Sequence, residues 1–291
     1  MSEVRQRWRL VFSRGEEARY LSHLDAVRLW ERAFRRGEIP VATSEGFSPR
    51  LKLIFAAPLQ LGMLAEHELA DLFLSERLTA PELRDRLAAG MPRGYAVVDL
   101  HDVWIGDPAL APQLAAADYR ITLLNVEQAR LEAAAGRLLA AERLPRARRK
   151  EARAIPYDLR PLLLELRART ADSEALPPDA DPARAAGLWM RLRHTQDRGS
   201  GRVEEVVAAL AGEMGLRAGT GGCEEEAAGA DSIGEPVMPV GATDAAETAR
   251  ESLGPQSAGS VLEVVRPVRE RLWLATELES SGAPHPAAQA V

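Results

Sequence analysis

Hydrophobic and polar residues alternate from Arg5 to Arg14, with Trp8, Leu10 and Phe12 on one face and Arg7, Arg9 and Val11 on the other. A period of two predicts a half-buried strand. Arg14 to Glu17 reads as a turn. Ser22 then caps a helix, with Asp25 three residues on as its capping-box partner. Leu24, Val27, Leu29, Trp30, Ala33 and Phe34 form that helix's apolar stripe, and Gly37 and Pro40 end it. Thr43 to Pro49 is a loop, Leu51 to Ala56 a strand, Pro58 to Met63 a turn, and His67 to Ser75 the hairpin partner. Thr79 caps a second helix, with Pro81 in its first turn, which runs to Gly90; Tyr95 to Ile105 is a further strand. The order is β-α-β-β-α-β, the ferredoxin-like split motif.

The pattern restarts more loosely. Asp118 to Leu124 reads as a strand and Val126 to Glu142 as a helix. Leu144 to Ile155 is a basic stretch suited to an extended arm. Leu162 to Arg167 and Gly187 to His194 read as a hairpin, followed by a helix from Val203 to Met214. This half lacks one strand. Arg217 to Ser260 is rich in Gly, Ala, Ser, Pro and Glu without an apolar period, the composition of a disordered acidic linker. Strand signals return at Val261 to Val265 and Arg271 to Leu278, and one of them supplies the missing strand. The expected fold is α+β: two ferredoxin-like halves with antiparallel sheets and a disordered acidic linker. The halves span 1–112 and 113–216 plus 261–278. The linker covers 217–260 and a disordered tail covers 279–291.

Composition narrows the function classes. A chain of 291 residues fits about two domains. No apolar run approaches the roughly 20 residues that span a bilayer. The charged segment Met1 to Arg9 lacks the apolar stretch of a signal peptide, so a cytoplasmic protein with no membrane contact is expected. Cys223 is the one cysteine, which excludes an intrachain disulfide, a three-cysteine cluster site and a four-cysteine zinc site. His23, His67, His101, His194 and His285 share no short metal-ligand spacing. We therefore expect no metal and no cofactor bound by this chain. The net charge of -6 argues against wholesale nucleic-acid coating.

The loop from Thr43 to Lys52 is the densest candidate site. Ser44, Glu45, Gly46, Phe47, Pro49, Arg50 and Lys52 place a glycine, an aromatic ring, a carboxylate and two cations within nine positions. Gly46 permits close backbone approach, Phe47 suits stacking on a base, and Arg50 and Lys52 suit phosphates. The other reading of the same residues is a structural crossover that plugs the core with Phe47. His23 at a helix start suits an anion or a general base, whereas Ser22 and Asp25 are explained by capping alone. Two basic runs, Arg146 to Arg153 and Arg191 to Arg202, read as phosphate patches or as solvated faces. Arg160, in Asp158-Leu159-Arg160-Pro161, reads as a binding residue or as half of a structural salt bridge. No phosphate-binding P-loop, dinucleotide fingerprint, nucleophile elbow or metalloprotease helix is present.

Three segments together carry a resemblance: Arg19-Tyr20-Leu21-Ser22-His23-Leu24-Asp25, Arg32-Ala33-Phe34-Arg35-Arg36, and Ser44 to Lys52 running into Phe55-Ala56-Ala57-Pro58-Leu59-Gln60-Leu61-Gly62. They resemble the radical SAM-linked protein family, a domain of unknown function, over residues 5–75. A weaker echo extends to Tyr157–Leu162 and Gly199–Glu205. Ser48-Pro49 stands where that family usually has Asn-Pro, and Leu51 where it usually has Pro. The resemblance implies a companion: a radical SAM protein that holds the iron–sulfur cluster and S-adenosylmethionine. This chain would then be a non-catalytic substrate-recognition or accessory protein, with RNA or a ribonucleoprotein as the pair's substrate. Two rivals remain open. One is a metal-independent RNA-processing endonuclease of ferredoxin-like fold, with His23 as general base and Lys52 at the phosphate. The other is a structural scaffold.

Overall fold

The computed structural model describes residues 3–44, 49–150, 153–197, 199–219 and 261–281. In the first half, β1 (Gln6–Arg14) leads to α1 (His23–Arg36), β2 (Leu53–Phe55), β3 (Leu64–Leu74), α2 (Ala80–Gly90) and β4 (Tyr95–Val103). Next come β5 (Leu114–Leu124), α3 (Gln128–Ala140), β6 (Pro145–Lys150), β7 (Arg153–Asp158), β8 (Leu163–Thr170) and β9 (Ala185–Thr195). β10 (Gly199–Ser200), α4 (Val203–Glu213), β11 (Arg217–Ala218), β12 (Val261–Leu274) and α5 (Ala275–Ser280) complete the described chain. The fold is mixed α+β, mostly sheet and mostly antiparallel.

One sheet runs through both halves in the order β10-β9-β5-β12-β3-β1-β4. β2 pairs with β3, β8 with β9 and β11 with β12, while β6 and β7 form a separate hairpin. Strands β4, β1, β3 and β2 are antiparallel neighbours in that order. Strands β8, β9, β5 and β12 repeat the arrangement. The two sets meet where β12 runs parallel to β3, with Val268 opposite Leu64 and Arg269 opposite Ala65.

The alternation in β1 is realised as read: Trp8, Leu10 and Phe12 are buried. They join Trp30 and Phe34 of α1 and Leu83 and Leu87 of α2 in one core cluster. A larger cluster takes β5, β8, β9, α3 and α4, together with Leu262 and Leu272 of β12. Ser22 caps α1 by accepting from the Asp25 N–H, and Thr79 and Glu82 form a reciprocal capping box on α2. The two helices touch through glycines. A Cβ on Gly90 would lie 2.2 Å from the Ala33 carbonyl oxygen, and one on Gly37 would lie 2.3 Å from that of Arg86.

Several expectations need correction. β2 is three residues long rather than six, and β3 starts at Leu64 instead of His67. The basic arm is the β6–β7 hairpin. The segments at 261–265 and 271–278 are not separate strands. β12 continues through both, and Ala275 to Ser280 turn into α5. The sequence pattern breaks there because Pro267 has no N–H to give the ladder. The strand absorbs it as a register shift between Val265 and Val268, with Arg266 at φ 45°. The linker expected from 217 begins with paired residues instead: Arg217 and Ala218 run parallel to Val261 and Leu262. Its remainder, 220–260, lies outside the described residues. The tail expected from 279 begins inside α5, where the Ser280 hydroxyl donates to Glu277 O at 2.9 Å. Residues 282–291 also lie outside the described residues. No described helix is long and apolar enough to cross a membrane.

Gly90→Ala forces a methyl group into a main-chain carbonyl that cannot rotate away. Urea unfolding should show a loss of about 1–3 kcal/mol relative to the parent, the usual range for overpacking. An unchanged midpoint would mean that α1 and α2 separate freely.

Candidate functional site

The N-terminus of α1 is held by Ser22. Its Oγ accepts from the Asp25 N–H at 3.2 Å and donates to Asp25 Oδ2 at 2.8 Å. This cap makes His23 the first helical residue. The His23 ring stands edge-on to Phe55, with centroids 5.6 Å apart. Burial lowers its pKa below the ordinary histidine value, which favours the neutral imidazole.

His23 and Ala26 form one wall of a small cleft, part of it open to solvent. β1 contributes Phe12 and Arg14, and the segment after β2 contributes Ala57 and Leu59. Phe55, Glu68 and Tyr95 complete the lining. Behind it, Phe12 lies 5.0 Å from Trp30 and 5.7 Å from Phe55, and Trp30 lies 5.6 Å from Tyr95. These edge-to-face contacts make a stiff apolar body.

The charged groups of the lining, Arg14 and Glu68, are already engaged. Arg14 is 3% exposed. Its Nε donates to Met63 O at 3.1 Å, and its Nη2 donates to Met63 O and Gln60 O, each at 2.6 Å. Its Nη1 makes a longer bond of 3.4 Å to Leu21 O. Burial lowers the Arg14 pKa, and the hydrogen-bonded Tyr95 side chain and the charge of Glu68 partly offset this. Glu68 accepts from Arg269 through both carboxylate oxygens, with Nε at 2.6 Å from Oε1 and Nη2 on Oε2. Arg269 also donates to Pro58 O at 3.2 Å and Ala57 O at 3.4 Å. Burial opposes the Arg269 charge, but Glu68 and Tyr119 more than offset it, so its pKa rises.

The rim comes from the motif segments. Arg19 Nε donates to Gly62 O at 2.7 Å, and Gly62 N–H donates to Arg19 O at 2.9 Å. Gly62 has φ 77°, a left-handed conformation that suits glycine. Tyr20 and Leu61, each next in sequence to a residue of this clasp, are exposed, as is Leu24 in the first turn of α1. Gln60 Nε2 reaches Glu204 of α4 at 3.2 Å, which ties the rim to the other half.

The expected site residues are scattered. Ser44 and Arg50 close the base of their loop: Ser44 N–H donates to Arg50 O at 2.8 Å and Arg50 N–H to Ser44 Oγ at 3.0 Å. Glu45, Gly46 and Phe47 lie outside the described residues, as does Ser48. Pro49 and Arg50 are exposed, and Lys52 is half-buried. Lys52 N–H pairs with Ala42 O. Lys52 stands three residues before Phe55, hence about 10 Å away and on the opposite side of an extended chain. The backbone therefore does not carry Lys52 to His23. Arg160 sits apart, with Nε donating to Ala141 O at 3.2 Å and Nη1 to Leu163 O at 2.9 Å. Its guanidinium is held by carbonyls, while its backbone N–H donates to the Asp158 carboxylate at 3.0 Å.

One arginine from each basic run is engaged within the fold. Arg148 is bound to Glu205 at 2.6 and 2.8 Å and lies over the Tyr157 ring at 4.4 Å. Arg191 is buried against Asp118 at 2.7 and 2.8 Å. Among the described residues no group of three or more His, Cys, Asp or Glu is arranged to hold a metal ion.

Sequence reading passed over Arg14, Glu68, Tyr95 and Arg269. A signal for two of them was present. Arg14 continues the inward phase of Trp8, Leu10 and Phe12, and Glu68 shares the phase of Ala70, Leu72 and Leu74. A charge on an inward phase calls for a buried partner.

Two outcomes follow from this chemistry. Glu68→Gln leaves the Arg269 guanidinium buried without its counter-charge, and denaturant titration should show a loss of about 3–5 kcal/mol. The second concerns His194, whose Nδ1 is buried without a hydrogen-bond partner. Burial, with a smaller contribution from the Arg269 charge, lowers its pKa to about 4. The unfolded chain therefore binds the proton more readily. The contribution of neutral His194 is complete above about pH 6.5 and is lost as pH falls toward 4. That amounts to up to about 3 kcal/mol. Unfolding free energies measured between pH 7 and pH 4 should fall with acid, and the slope should flatten in His194→Gln.

No curated protein matches the chain. Among solved structures, the chain is similar to one described as an unknown protein from Galdieria sulphuraria. The identity is 13%, the match covers 72% of this chain and 94% of that one, and the TM-score is 0.23. A family model described as an uncharacterized protein conserved in bacteria matches residues 7–198, about two thirds of the chain. Those residues include β1, the capped start of α1, the clasp at Gly62 and all of the cleft lining, so the chain belongs to the DUF2344 family of uncharacterized bacterial proteins.

Proposed function

We propose that this protein is a non-catalytic recognition module that works in the cytoplasm beside a separate radical SAM enzyme. The observation that carries the recognition role is the convergence of two motif segments, 19–25 and 55–62, on one cleft. Its charged groups are held by static bonds: Arg14 by carbonyls and Glu68 by Arg269. Groups so fixed are poor proton donors or acceptors, which supports binding over acid–base chemistry at these two residues.

The need for a companion rests on thiols and on the resemblance. Radical SAM chemistry uses three cysteines at its cluster, and these 291 residues contain Cys223 alone. The companion would hold the iron–sulfur cluster and S-adenosylmethionine. RNA or a ribonucleoprotein as the pair's substrate rests on the resemblance alone. We read the two halves as tandem ferredoxin-like units. The support is their matching antiparallel strand orders, β4-β1-β3-β2 and β8-β9-β5-β12.

Affinity capture of the tagged chain from its own host tests this reading. A polypeptide with a reducible iron–sulfur chromophore should co-purify, and nuclease treatment will show whether RNA bridges the two. If the chain alone carries iron or cleaves cellular RNA without metal, or if capture yields no cluster protein, the helper role is wrong.

A further inference from the structure

The strands of the β6–β7 hairpin pair with each other and with no strand of the main sheet. From Pro145 to Asp158 this ribbon carries five cations, Arg146, Arg148, Arg149, Lys150 and Arg153, against two carboxylates, Glu151 and Asp158, in a chain whose net charge is -6. Asp158 is engaged at the base, where its Oδ1 accepts from the N–H groups of Leu144 and Arg160 at 2.8 and 3.0 Å. The register sets Arg146 opposite Tyr157, Arg148 opposite Ile155 and Lys150 opposite Arg153. Residues opposite one another share a face of a ribbon, as do alternate residues along a strand. Positions 146, 148, 150 and 153 therefore belong to one face. Lys150 and Arg153 are a directly opposed like-charge pair, which destabilises a ladder.

The first turn of α4 braces this face near its base. Glu205 accepts from Arg148 Nε at 2.6 Å and Nη2 at 2.8 Å, and the same Nη2 donates to Ser200 O at 2.7 Å. The neighbouring Glu204 accepts from Gln60, so ribbon and cleft rim are tied to consecutive residues of one helix. Arg146 Nε is buried and finds no hydrogen-bond partner among the described residues, an unfavourable state for a donor. Apolar surface is scarce. Ile155, 47% exposed, is the one large exposed hydrophobic side chain among the described residues of the ribbon. A protein partner would call for an apolar centre to the interface, which the ribbon does not offer.

We propose that the β6–β7 ribbon is the arm that holds the phosphate backbone of single-stranded RNA, along the line of positions 146, 148, 150 and 153. Alternate residues of a strand stand about 7 Å apart, and a flexible single strand can fit its phosphates to such a line. An A-form duplex has a major groove too deep and narrow for side chains to read. Arginine forks meet phosphate oxygens two at a time. The opposed Lys150–Arg153 pair and the unpartnered Arg146 donor are features that folding alone disfavours and that a bound polyanion offsets. This inference deepens the recognition role above and rests on it for RNA as the substrate. It adds where the contact is made, and it does not require the companion enzyme.

Fluorescence anisotropy of a labelled oligouridine of about 20 nucleotides, titrated with the full chain, tests the assignment. The RNA should bind with a Kd of about 1–100 μM, weakening steadily as salt is raised. In Arg149→Gln/Lys150→Gln/Arg153→Gln the affinity should fall about ten-fold or more, and the slope of log affinity against log salt should drop by about 2, or about 0.7 per lost phosphate contact. The melting temperature should not fall, because the substitutions remove a like-charge pair. If that variant does not fold, Lys150→Gln alone should lower the slope by about 0.7. Arg77→Gln/Arg84→Gln/Arg93→Gln removes the same charge from exposed positions around α2 and should leave RNA affinity within about two-fold of the parent. An equal loss in that control, or unchanged affinity in the ribbon variant, would overturn the proposal. So would tighter binding of duplex DNA, of oligodeoxyuridine or of polyglutamate, or no anisotropy change at about 100 μM chain. RNA binding that ignores the ribbon variant removes the ribbon and leaves RNA as the substrate. Failed capture of a cluster protein removes the helper role alone.

Discussion

The ion pair between Glu68 on β3 and Arg269 on β12 stands at the seam of the molecule. The parallel pairing of these strands is brief, with registered partners only at Val268–Leu64 and Arg269–Ala65. So short a ladder specifies little by itself. The buried pair adds the specificity, because any slip of β12 along β3 would strand a guanidinium and a carboxylate away from water. A buried ion pair is weak evidence for stability, since its desolvation cost cancels much of its Coulomb gain. Its consequence here is geometric. It sets where the second half docks, and the Ala57 and Pro58 carbonyls are drawn onto Arg269 with it.

The cleft depends on that docking. The 56–62 segment is held on one side by Arg269 and on the other by Arg14, whose donors take the carbonyls of Gln60 and Met63. The Arg19–Gly62 clasp then fixes the rim against the start of α1. Three arginines thus position one loop, and that loop completes a site whose other walls are the aromatic core of the first half. A planar fork with five donors can satisfy several carbonyls at once, which a lysine at the same place would not do.

Arginine plays the same structural part elsewhere. Arg7 and Arg9 share Asp71 on β3, and Arg7 also reaches the carbonyls of Asp107 and Pro108. Arg120 gathers Glu66, Asp172 and Glu270, and Glu270 in turn accepts from the Trp189 indole. Asp118 holds Arg191 and the Trp273 indole together. One arginine of each basic run, Arg148 and Arg191, is taken up in such a pair.

Local chemistry made much of the architecture readable in advance. Strict alternation in β1, the Ser22 and Thr79 caps, and the glycine stops follow from contacts within a few residues, so they appear in the sequence itself. The α+β class and the order of elements follow from the same signals. Where Pro267 interrupts a strand, or where β2 is trimmed to three residues, the local signal misleads because cross-strand pairing decides the outcome. The Ser44–Lys52 loop drew notice through its composition, yet none of its described residues lines the cleft.

What the amino-acid order determined alone is the shortage of thiols, the amphipathic periods and the helix ends, because each depends on residue type and near spacing. The tertiary structure alone decided that Arg14 would share a cleft with His23, and that Arg269, 201 residues after Glu68, would neutralise it. A charge shows its type in the sequence, but whether it is paired depends on chain segments brought together only when the sheet closes.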